Sequence, residues 1–201
     1  MSELERRLGR GGDVPPLDTE RLGAALRARA EAEGLLDVAY ASMDSPLGEL
    51  LVATTPRGLV RLAYAEEAPE SVLDELARRV SPRVLRAPQR TDAVRRELEA
   101  YFAGKLSAFS TPVDWSLVRG FAVDVLRATA RVPFGELSTY RDVAGAAGSP
   151  RAARAAGNAL GSNPVPIVVP CHRVVHAGGG LGGYTGGLDR KRWLLSLEGA
   201  I

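Results

Sequence analysis

The spacing of apolar residues divides this chain into a part with strand-like segments and a part with helical ones. Three segments rich in β-branched and apolar residues are typical of strands: residues 37–41, 49–53 and 58–64. Residues 54–57 join the last two strands as a hairpin loop, and helical spacing follows at 71–80 and 92–103. We therefore predict an N-terminal α/β domain over residues 37–115, with a small antiparallel sheet and helices.

The second half, residues 116–201, is predicted to be a mainly helical domain. Residues 121–130 and 138–146 have helical apolar spacing, and the second segment begins with a hydroxyl residue that can cap it. Gly148-Ser149-Pro150 then supplies a stop, an N-cap and a first-turn proline for a helix over 151–160. Two short helices around a glycine turn predict a helix-turn-helix.

Length and composition limit the class of protein. A chain of 201 residues with 45% hydrophobic content can bury a core, as one domain or two small ones. Residues 1–36 form an extension, which we expect to be poorly ordered up to residue 18 and helical over 20–33. The N-terminus lacks the apolar segment of a signal peptide, and no apolar run approaches about eighteen residues. We expect a cytoplasmic protein with no membrane span.

The charge distribution suggests a polyanionic partner for the second half, although such a net charge over 86 residues is also common on ordinary protein surfaces. Residues 116–201 contain ten Lys and Arg against five Asp and Glu, a net charge of +5, whereas the first 115 residues carry sixteen against nineteen, a net charge of −3. The helix at 151–160 consists mostly of Ala and Gly, with Arg151 and Arg154 as its only charges. It lacks the Gln and Glu side chains that read base edges, which favours sequence-tolerant contact, including insertion into a minor groove. An alanine-rich helix packed against a neighbour is the structural alternative.

The only cysteine, Cys171, stands between the apolar run Ile167-Val-Val-Pro170 and His172, and it excludes any intramolecular disulfide. The run predicts a strand that stops at the thiol, because Pro170 cannot donate a ladder hydrogen bond. Residues 178–187 hold seven glycines in ten positions and could close over a substrate. A lone cysteine is usually a small buried hydrophobe, but these neighbours favour a nucleophile.

A nucleophilic thiol needs a base or a positive field. Adjacent side chains on a strand point to opposite faces, so His172 reaches Cys171 only where the chain turns or a water bridges the two. Glu198 is one of few acidic residues in this half that could orient the imidazole. We expect this pair to lower the pKa of Cys171 below about 8.5. A thiol hydrolase that forms an acyl-enzyme at Cys171 is an alternative, although it leaves the arginine–alanine helix unexplained.

A set of motifs in the second half closely resembles the O6-alkylguanine-DNA alkyltransferases, also called methylated-DNA–protein-cysteine methyltransferases. They are Val132-Pro-Phe-Gly-Glu136, Thr139-Tyr140, Arg151-Ala-Ala-Arg-Ala155, Asn163-Pro-Val-Pro-Ile-Val-Val-Pro-Cys-His-Arg-Val174, Tyr184-Thr-Gly-Gly187 and Trp193-Leu-Leu195. The resemblance is dense from residue 131 to 199, extends to residues 37–115 only in outline, and does not reach the first 36 residues. It implies that a damaged guanine is rotated out of duplex DNA and that the cysteine thiolate takes its O6-alkyl group.

The resemblance also implies a role for each matching residue. Cys171 is the alkyl acceptor, His172 reaches it through a water, and Glu198 orients the histidine. Tyr140 donates a proton or a hydrogen bond to the guanine ring, and Asn163 is the hinge between the recognition helix and the active-site loop.

Further matching positions contact the base or the DNA. The Thr185 N–H meets O6, the carbonyls of Cys171 and Val174 accept from the exocyclic amine, and Tyr184 and Lys191 complete the substrate-binding set. Arg154 takes the place of the extruded base in the stack. The remaining predicted DNA contacts lie on the second helix or just before it: Ser149, Arg151, Ala153, Ala155 and Gly157.

The implied partner is double-stranded DNA, bound by a monomer through the minor groove and without sequence specificity. Some relatives hold zinc with N-terminal cysteines and histidines, but here Cys171, His172 and His176 all lie in the second half. We therefore expect no metal and no cofactor. His176 is expected to face solvent or cap a turn. A non-catalytic sensor of alkylated DNA is an alternative of another class, and the intact cysteine argues against it.

Overall fold

A four-stranded sheet occupies the first part of the computed structural model, which describes residues 36–201 and, before them, Gly23, Ala25, Arg29 and Gly34. Its strands are β1 (Val38–Met43), β2 (Leu50–Thr55), β3 (Gly58–Tyr64) and β4 (Val84–Arg86), in the order β3-β2-β1-β4. The three predicted strands are confirmed. The predicted disorder up to residue 18 and most of the predicted helix at 20–33 lie outside the described residues.

The sheet is mixed, so the prediction of an antiparallel sheet was wrong at one edge. β1 and β3 both run antiparallel to β2, whereas β4 pairs parallel with β1, with Val84 opposite Val38. Parallel neighbours need a crossover connection, and here it passes through β2, β3 and a helix. β4 has only three residues, too few to show a period of two, which is why the sequence did not reveal it.

Two helices follow the antiparallel strands. They are α1 (Pro69–Arg79) and α2 (Pro88–Phe102). Each begins at a proline, whose missing N–H costs nothing in the first turn of a helix. The buried residues of α2, Thr91, Val94, Leu98 and Tyr101, follow helical spacing and form one face. This face packs against β1 and β2 and carries the side chain of Tyr101 toward the second half of the chain.

The second half contains four helices and a two-stranded parallel ladder. The helices are α3 (Phe121–Thr129), α4 (Tyr140–Ala146), α5 (Ala153–Gly161) and α6 (Leu188–Leu197), and the ladder joins β5 (Ser138–Thr139) to β6 (Val174–Val175). Thr139 caps α4: its hydroxyl accepts from the Asp142 N–H, and the Asp142 carboxylate accepts from the Thr139 N–H. The predicted helix is therefore confirmed, with a cap one residue into the predicted segment.

The start of α5 differs from the prediction. Ser149 does not cap the helix; its carbonyl accepts from the Ala152 N–H, which closes a turn around Pro150 and Arg151. The first helical residue is therefore Ala153. Arg151 thus lies in the turn between α4 and α5, and not on the helix.

The predicted strand before the cysteine was also wrong. Residues 163–170 form successive turns, and Ile167 has a φ of 72° although its side chain is β-branched. Prolines at 164, 166 and 170 cannot donate ladder hydrogen bonds, which removes the pairing that a strand needs. A β-branched residue in the left-handed region is strained, and such strain persists where surrounding contacts impose it.

Both halves share one apolar core. Leu50 and Leu62 of the sheet and Leu98 of α2 belong to the same buried cluster as Leu126 and Leu194 of the second half. The Leu62 N–H also donates to the Pro164 carbonyl at 2.8 Å, which anchors the turns before Cys171 to β3. Within the part of the chain described here, no helix is long and apolar enough to cross a membrane.

Candidate active site

A cavity of about 680 Å³ opens between α4, α5, the turn that carries Cys171 and the glycine-rich segment at 178–187. Residues from distant parts of the sequence line it: Tyr140, Ala153, Arg154, Gly157, Cys171, His176, Tyr184 and Thr185. The sequence predicted most of this set. Among the predicted substrate-binding residues, Val174 and Lys191 lie behind the wall instead.

Cys171 lies on the floor of this cavity and is 5% exposed. It begins a short 3-10 helix, Cys171–Arg173, so the chain turns where the sequence had suggested a straight strand. The Asn163 side-chain amide donates to Sγ at 3.2 Å and to the Val169 carbonyl at 2.8 Å, and its oxygen accepts from the Val165 N–H at 3.1 Å. Asn163 therefore fixes the turns before the cysteine and places an N–H donor on the sulfur.

Burial controls the ionisation of this thiol. It raises the pKa of Cys171 to about 11, and the Asn163 amide and the nearby Lys191 ammonium offset only part of that effect. The expectation of a pKa below the ordinary value is therefore wrong. At neutral pH the sulfur carries its proton.

His172 follows Cys171 in the same 3-10 helix and is fully buried. Its Nε2 is 2.9 Å from Glu198 Oε1. Because an ionised carboxylate only accepts, Nε2 carries the proton in the neutral ring and Nδ1 is left as the acceptor. Nδ1 has no hydrogen-bond partner among the described residues. Burial lowers the pKa of His172 despite the opposing effect of Glu198, so the ring is neutral and able to take a proton.

Glu198, at the end of α6, is buried but remains ionised. Burial acts to raise the pKa of this carboxyl, but hydrogen bonds from His172 and Arg173 outweigh it and keep the pKa well below its ordinary range. Arg173 donates from Nε to Oε2 at 2.8 Å and from Nη2 to Oε1 at 2.9 Å, a bidentate contact. The Tyr101 hydroxyl donates to Oε1 at 2.5 Å.

Sequence reasoning did not find Tyr101 or the function of Arg173. Arg173 follows His172 in the chain, and its position in the motif was the available signal. Tyr101 is 97 residues from Glu198, and no pattern in the sequence connects the two.

Lys191 and Val174 bind each other behind the cavity wall. The buried Lys191 Nζ donates to the Val174 carbonyl at 2.7 Å and to the Gly183 carbonyl at 3.3 Å. Burial lowers the pKa of Lys191 to about 8, while Cys171 acts in the opposite direction. The ammonium thus joins β6 to the glycine-rich segment and places a positive charge near the thiol.

The glycine-rich segment forms one side of the cavity. The Tyr184 hydroxyl lies 2.7 Å from the Tyr64 hydroxyl of β3, and the Thr185 hydroxyl donates to the Gly161 carbonyl at 3.0 Å. Gly182 has a φ of 71°, and a Cβ there would overlap the Tyr140 hydroxyl. The segment therefore needs glycine where it passes over Tyr140.

Tyr140 and His176 stand side by side at the mouth of the cavity. The β5–β6 register pairs Thr139 with Val175. The residues that follow these two, Tyr140 and His176, are therefore neighbours. The two rings have centroids 5.1 Å apart. Burial raises the pKa of Tyr140. The prediction that His176 faces solvent is confirmed, and its backbone closes a turn with Gly180.

The rim of the cavity is the outer face of α5. Arg154 and Ala155 are exposed, and Ala153 and Gly157 are half-buried on the cavity side. Ala156 and Ala159 pack into the core, as the structural alternative for an alanine-rich helix requires. Small side chains therefore face both the core and the solvent, and Arg154 stands at the edge of the cavity.

A lone thiol on a cavity floor, backed by a histidine–carboxylate pair, is the site of a protein that uses cysteine as a nucleophile. The models of two protein domain families match the chain: the ribonuclease-like domain of 6-O-methylguanine DNA methyltransferase at residues 38–115, and its DNA binding domain at 120–200. The chain therefore belongs to the 6-O-methylguanine DNA methyltransferase family.

Individual relatives agree with this assignment. A methylated-DNA–protein-cysteine methyltransferase of Mycolicibacterium paratuberculosis is 42% identical over 80% of this chain and 92% of its own length. One from Methanosarcina acetivorans is 38% identical over 80% of this chain and 98% of its own length. A crystal structure of the Mycobacterium tuberculosis protein in complex with DNA has a TM-score of 0.69 and 38% identity, and covers 81% of this chain and 93% of that one.

Proposed function

We propose that Cys171 is the residue with which this protein repairs alkylated DNA, by taking the alkyl group from O6 of guanine irreversibly. The protein is a methylated-DNA–protein-cysteine methyltransferase, as its relatives of similar length are. The observation that carries the proposal is the position of Cys171, the chain's only cysteine, on the floor of a cavity edged by an arginine-bearing helix.

The first step is loss of the thiol proton. The pKa of about 11 keeps the sulfur protonated at neutral pH, so the thiol becomes a nucleophile only when a base removes its proton. His172 Nδ1, the ring nitrogen that Glu198 does not use, receives this proton through a bridging water. Glu198 stabilises the imidazolium that results, and the Asn163 amide donates to the developing thiolate.

The second step is displacement at the alkyl carbon. The thiolate attacks this carbon in line, the C–S bond forms, and the bond from the carbon to guanine O6 breaks. The electron pair of that bond passes to guanine, whose ring then takes up one proton and balances the proton lost by the thiol. Tyr140 donates to the guanine ring and the Thr185 N–H to O6, so the leaving group is stabilised as its charge develops. The Cys171 carbonyl accepts from the exocyclic amine. The Val174 carbonyl already accepts from Lys191 Nζ, so it can accept from this amine only with its second lone pair. Tyr184 forms the wall beside the base.

The rim engages DNA. We assign α4, the intervening turn and α5 as a helix-turn-helix, with α5 as the recognition helix in the minor groove. Ser149 and Arg151 in the turn contact phosphates, and the small residues Ala153, Ala155 and Gly157 allow close approach. Arg154, exposed at the cavity edge, fills the space that the extruded guanine leaves. The protein acts as a monomer and tolerates any flanking sequence, because the helix offers few side chains that read bases.

Intact-protein mass spectrometry tests this function. The protein is mixed with excess duplex containing O6-methylguanine, and we expect the mass to increase by one methyl group, located on Cys171 by peptide mapping. A thioether has no ready route back to a thiol, so each molecule reacts once. Repeated turnover, or methylation of any other residue, would contradict the proposal. Release of a hydrolysed product from an unmodified cysteine would identify a thiol hydrolase instead.

A further inference from the structure

Tyr101 brings a hydroxyl from α2 to the carboxylate of the active site. Its side chain is fully buried, and its hydroxyl donates to Glu198 Oε1 at 2.5 Å. The rings of Phe102, Phe109 and Phe134 surround it, with centroids 5.3 to 6.1 Å from its own. These contacts hold the phenol in one orientation, and the hydroxyl is aimed at one oxygen atom.

That oxygen is the one that binds the histidine. His172 Nε2 lies 2.9 Å from Oε1, and Arg173 Nη2 donates to the same atom at 2.9 Å. Every donor to Oε1 draws electron density from it and weakens its hold on a proton. The Tyr101 hydrogen bond therefore acts on the proton affinity of the His172–Glu198 pair, although Tyr101 is not one of the residues that line the cavity.

We propose that Tyr101 is a positioning residue for alkyl transfer, which fixes the orientation of Glu198 and limits the proton affinity of the His172–Glu198 pair. The inference rests on the proposed function, because it assigns a task within that reaction. It also gives the region that matches the ribonuclease-like domain a direct part in the chemistry: α2 supplies the hydroxyl and packs on the sheet, which holds it in place.

The test is the pH dependence of single-turnover alkyl transfer in Tyr101→Phe. Transfer requires an unprotonated His172 Nδ1, so the rate falls on the acid side when the His172–Glu198 pair is protonated. Removing the hydroxyl raises the proton affinity of the pair. The acid limb of the pH–rate profile, where the rate falls with falling pH, should therefore move to higher pH by about one unit. This is the shift expected for the loss of one hydrogen bond to a charged group. At a pH on that limb the rate falls about 10-fold.

Thr91→Val is the matched control, because it removes another buried hydroxyl from α2. The Thr91 hydroxyl donates to the Pro88 carbonyl and accepts from Arg95, far from the active site in the hydrogen-bond network. We expect this variant to lose stability without any movement of the acid limb. If Tyr101→Phe behaves like Thr91→Val, with lower stability and an unmoved acid limb, Tyr101 is structural and the proposal is overturned.

Two further measurements keep the proposal open to refutation if Tyr101→Phe does not fold. Site-specific replacement of Tyr101 by 3-fluorotyrosine keeps the shape and makes the hydroxyl a stronger donor, so the acid limb should move to lower pH; an unmoved limb overturns the proposal. In a Glu198→Gln background the fluorine should have no effect on the profile, and an effect of the same size there would show that Tyr101 does not act through Glu198. Failure of the wild-type protein to methylate Cys171 would refute the proposed function itself, whatever the Tyr101 variants do.

Discussion

The cavity floor around Cys171 and the cavity rim on α5 differ in burial and in how their side chains are held. On the floor, Cys171, His172 and Glu198 are buried, and hydrogen bonds from Asn163, Arg173 and Tyr101 fix them. On the rim, Arg154 and Ala155 are exposed to solvent. Group transfer needs reacting atoms at fixed distances, whereas a search along DNA needs contacts that any sequence can satisfy. The difference predicts that floor variants change the reaction and rim variants change the encounter with duplex DNA.

The largest effect is expected for Cys171→Ser. A hydroxyl is far less acidic and less nucleophilic than a thiol, so alkyl transfer should fall below detection. Affinity for duplex DNA, measured by fluorescence anisotropy, should stay within about twofold, because the rim is unchanged. Residual transfer to the variant would show that another residue accepts the alkyl group.

Glu198→Gln should slow transfer by about 100-fold or more, since a neutral amide stabilises the imidazolium poorly. The variant should also lose about 3–5 kcal/mol of unfolding free energy, because buried Arg173 loses its charged partner. Urea denaturation and single-turnover kinetics measure these two effects. Glu136→Gln, at an exposed glutamate, is the control and should change neither quantity.

The same carboxylate predicts how stability depends on acid. The pKa of Glu198 is depressed in the folded protein, so its stabilisation is present above the unfolded pKa of about 4.3 and is lost as the pH falls below it. The wild-type protein should therefore lose more stability than Glu198→Gln between about pH 4.5 and pH 3. Parallel acid profiles for the two proteins would show that Glu198 is not the depressed group.

The Cys171 thiol should titrate unusually late. With a pKa of about 11, its ultraviolet thiolate absorbance should appear above that of an ordinary cysteine, whose pKa is about 8.5. Because this folded-state pKa is raised, the thiol's contribution to stability is present below about pH 8.5 and is lost as the pH rises toward 11. Thiolate absorbance that appears below pH 8 in the protein without DNA would contradict this prediction. It would show that His172 already lowers the pKa of Cys171 before any substrate is bound.

The smallest effect is expected for Arg151→Ala, in the turn that precedes α5. Loss of one phosphate contact should weaken DNA binding a few-fold and reduce the slope of log affinity against log salt by about 1. The weakening should be the same for duplexes of different flanking sequence. A strong dependence on sequence would mean that Arg151 reads bases.

The sequence predicted β1–β3 and α1–α5 but not α6, the helix that carries Lys191 and leads into Glu198, and it predicted the irregular segments poorly. β1–β3, α1–α3 and α4 follow from apolar spacing and capping residues, which are local signals. The turns at 163–170 could not be predicted from local signals, because Ile and Val favour strands. Only the surrounding contacts hold Ile167 at a positive φ. The short strand β4 was missed for lack of a period, and its pairing with β1 depends on the fold as a whole.

The residues of the cavity were predicted from the resemblance to known family motifs more than from the spacing of apolar residues. The motif identified Cys171, Tyr140 and Arg154, and the structure brings all three to the same cavity. Burial of the sulfur was not visible in the sequence, so the direction of its pKa was wrong. Tyr101 was missed because its contact with Glu198 requires α2 to pack against the second half of the chain.

The comparison between floor and rim is tested most directly by the rate of alkyl transfer to Cys171 from two substrates, duplex O6-methylguanine and the free base O6-benzylguanine. The free base needs no extrusion, which costs a few kcal/mol in duplex DNA, so Arg154→Ala should slow duplex repair about 100-fold and leave the free-base rate within about twofold. Glu198→Gln should slow both reactions by the same factor, because both use the same thiol. Equal losses for the two substrates in Arg154→Ala, or a free-base rate that Glu198→Gln leaves unchanged, would contradict the division of labour between the floor and the rim.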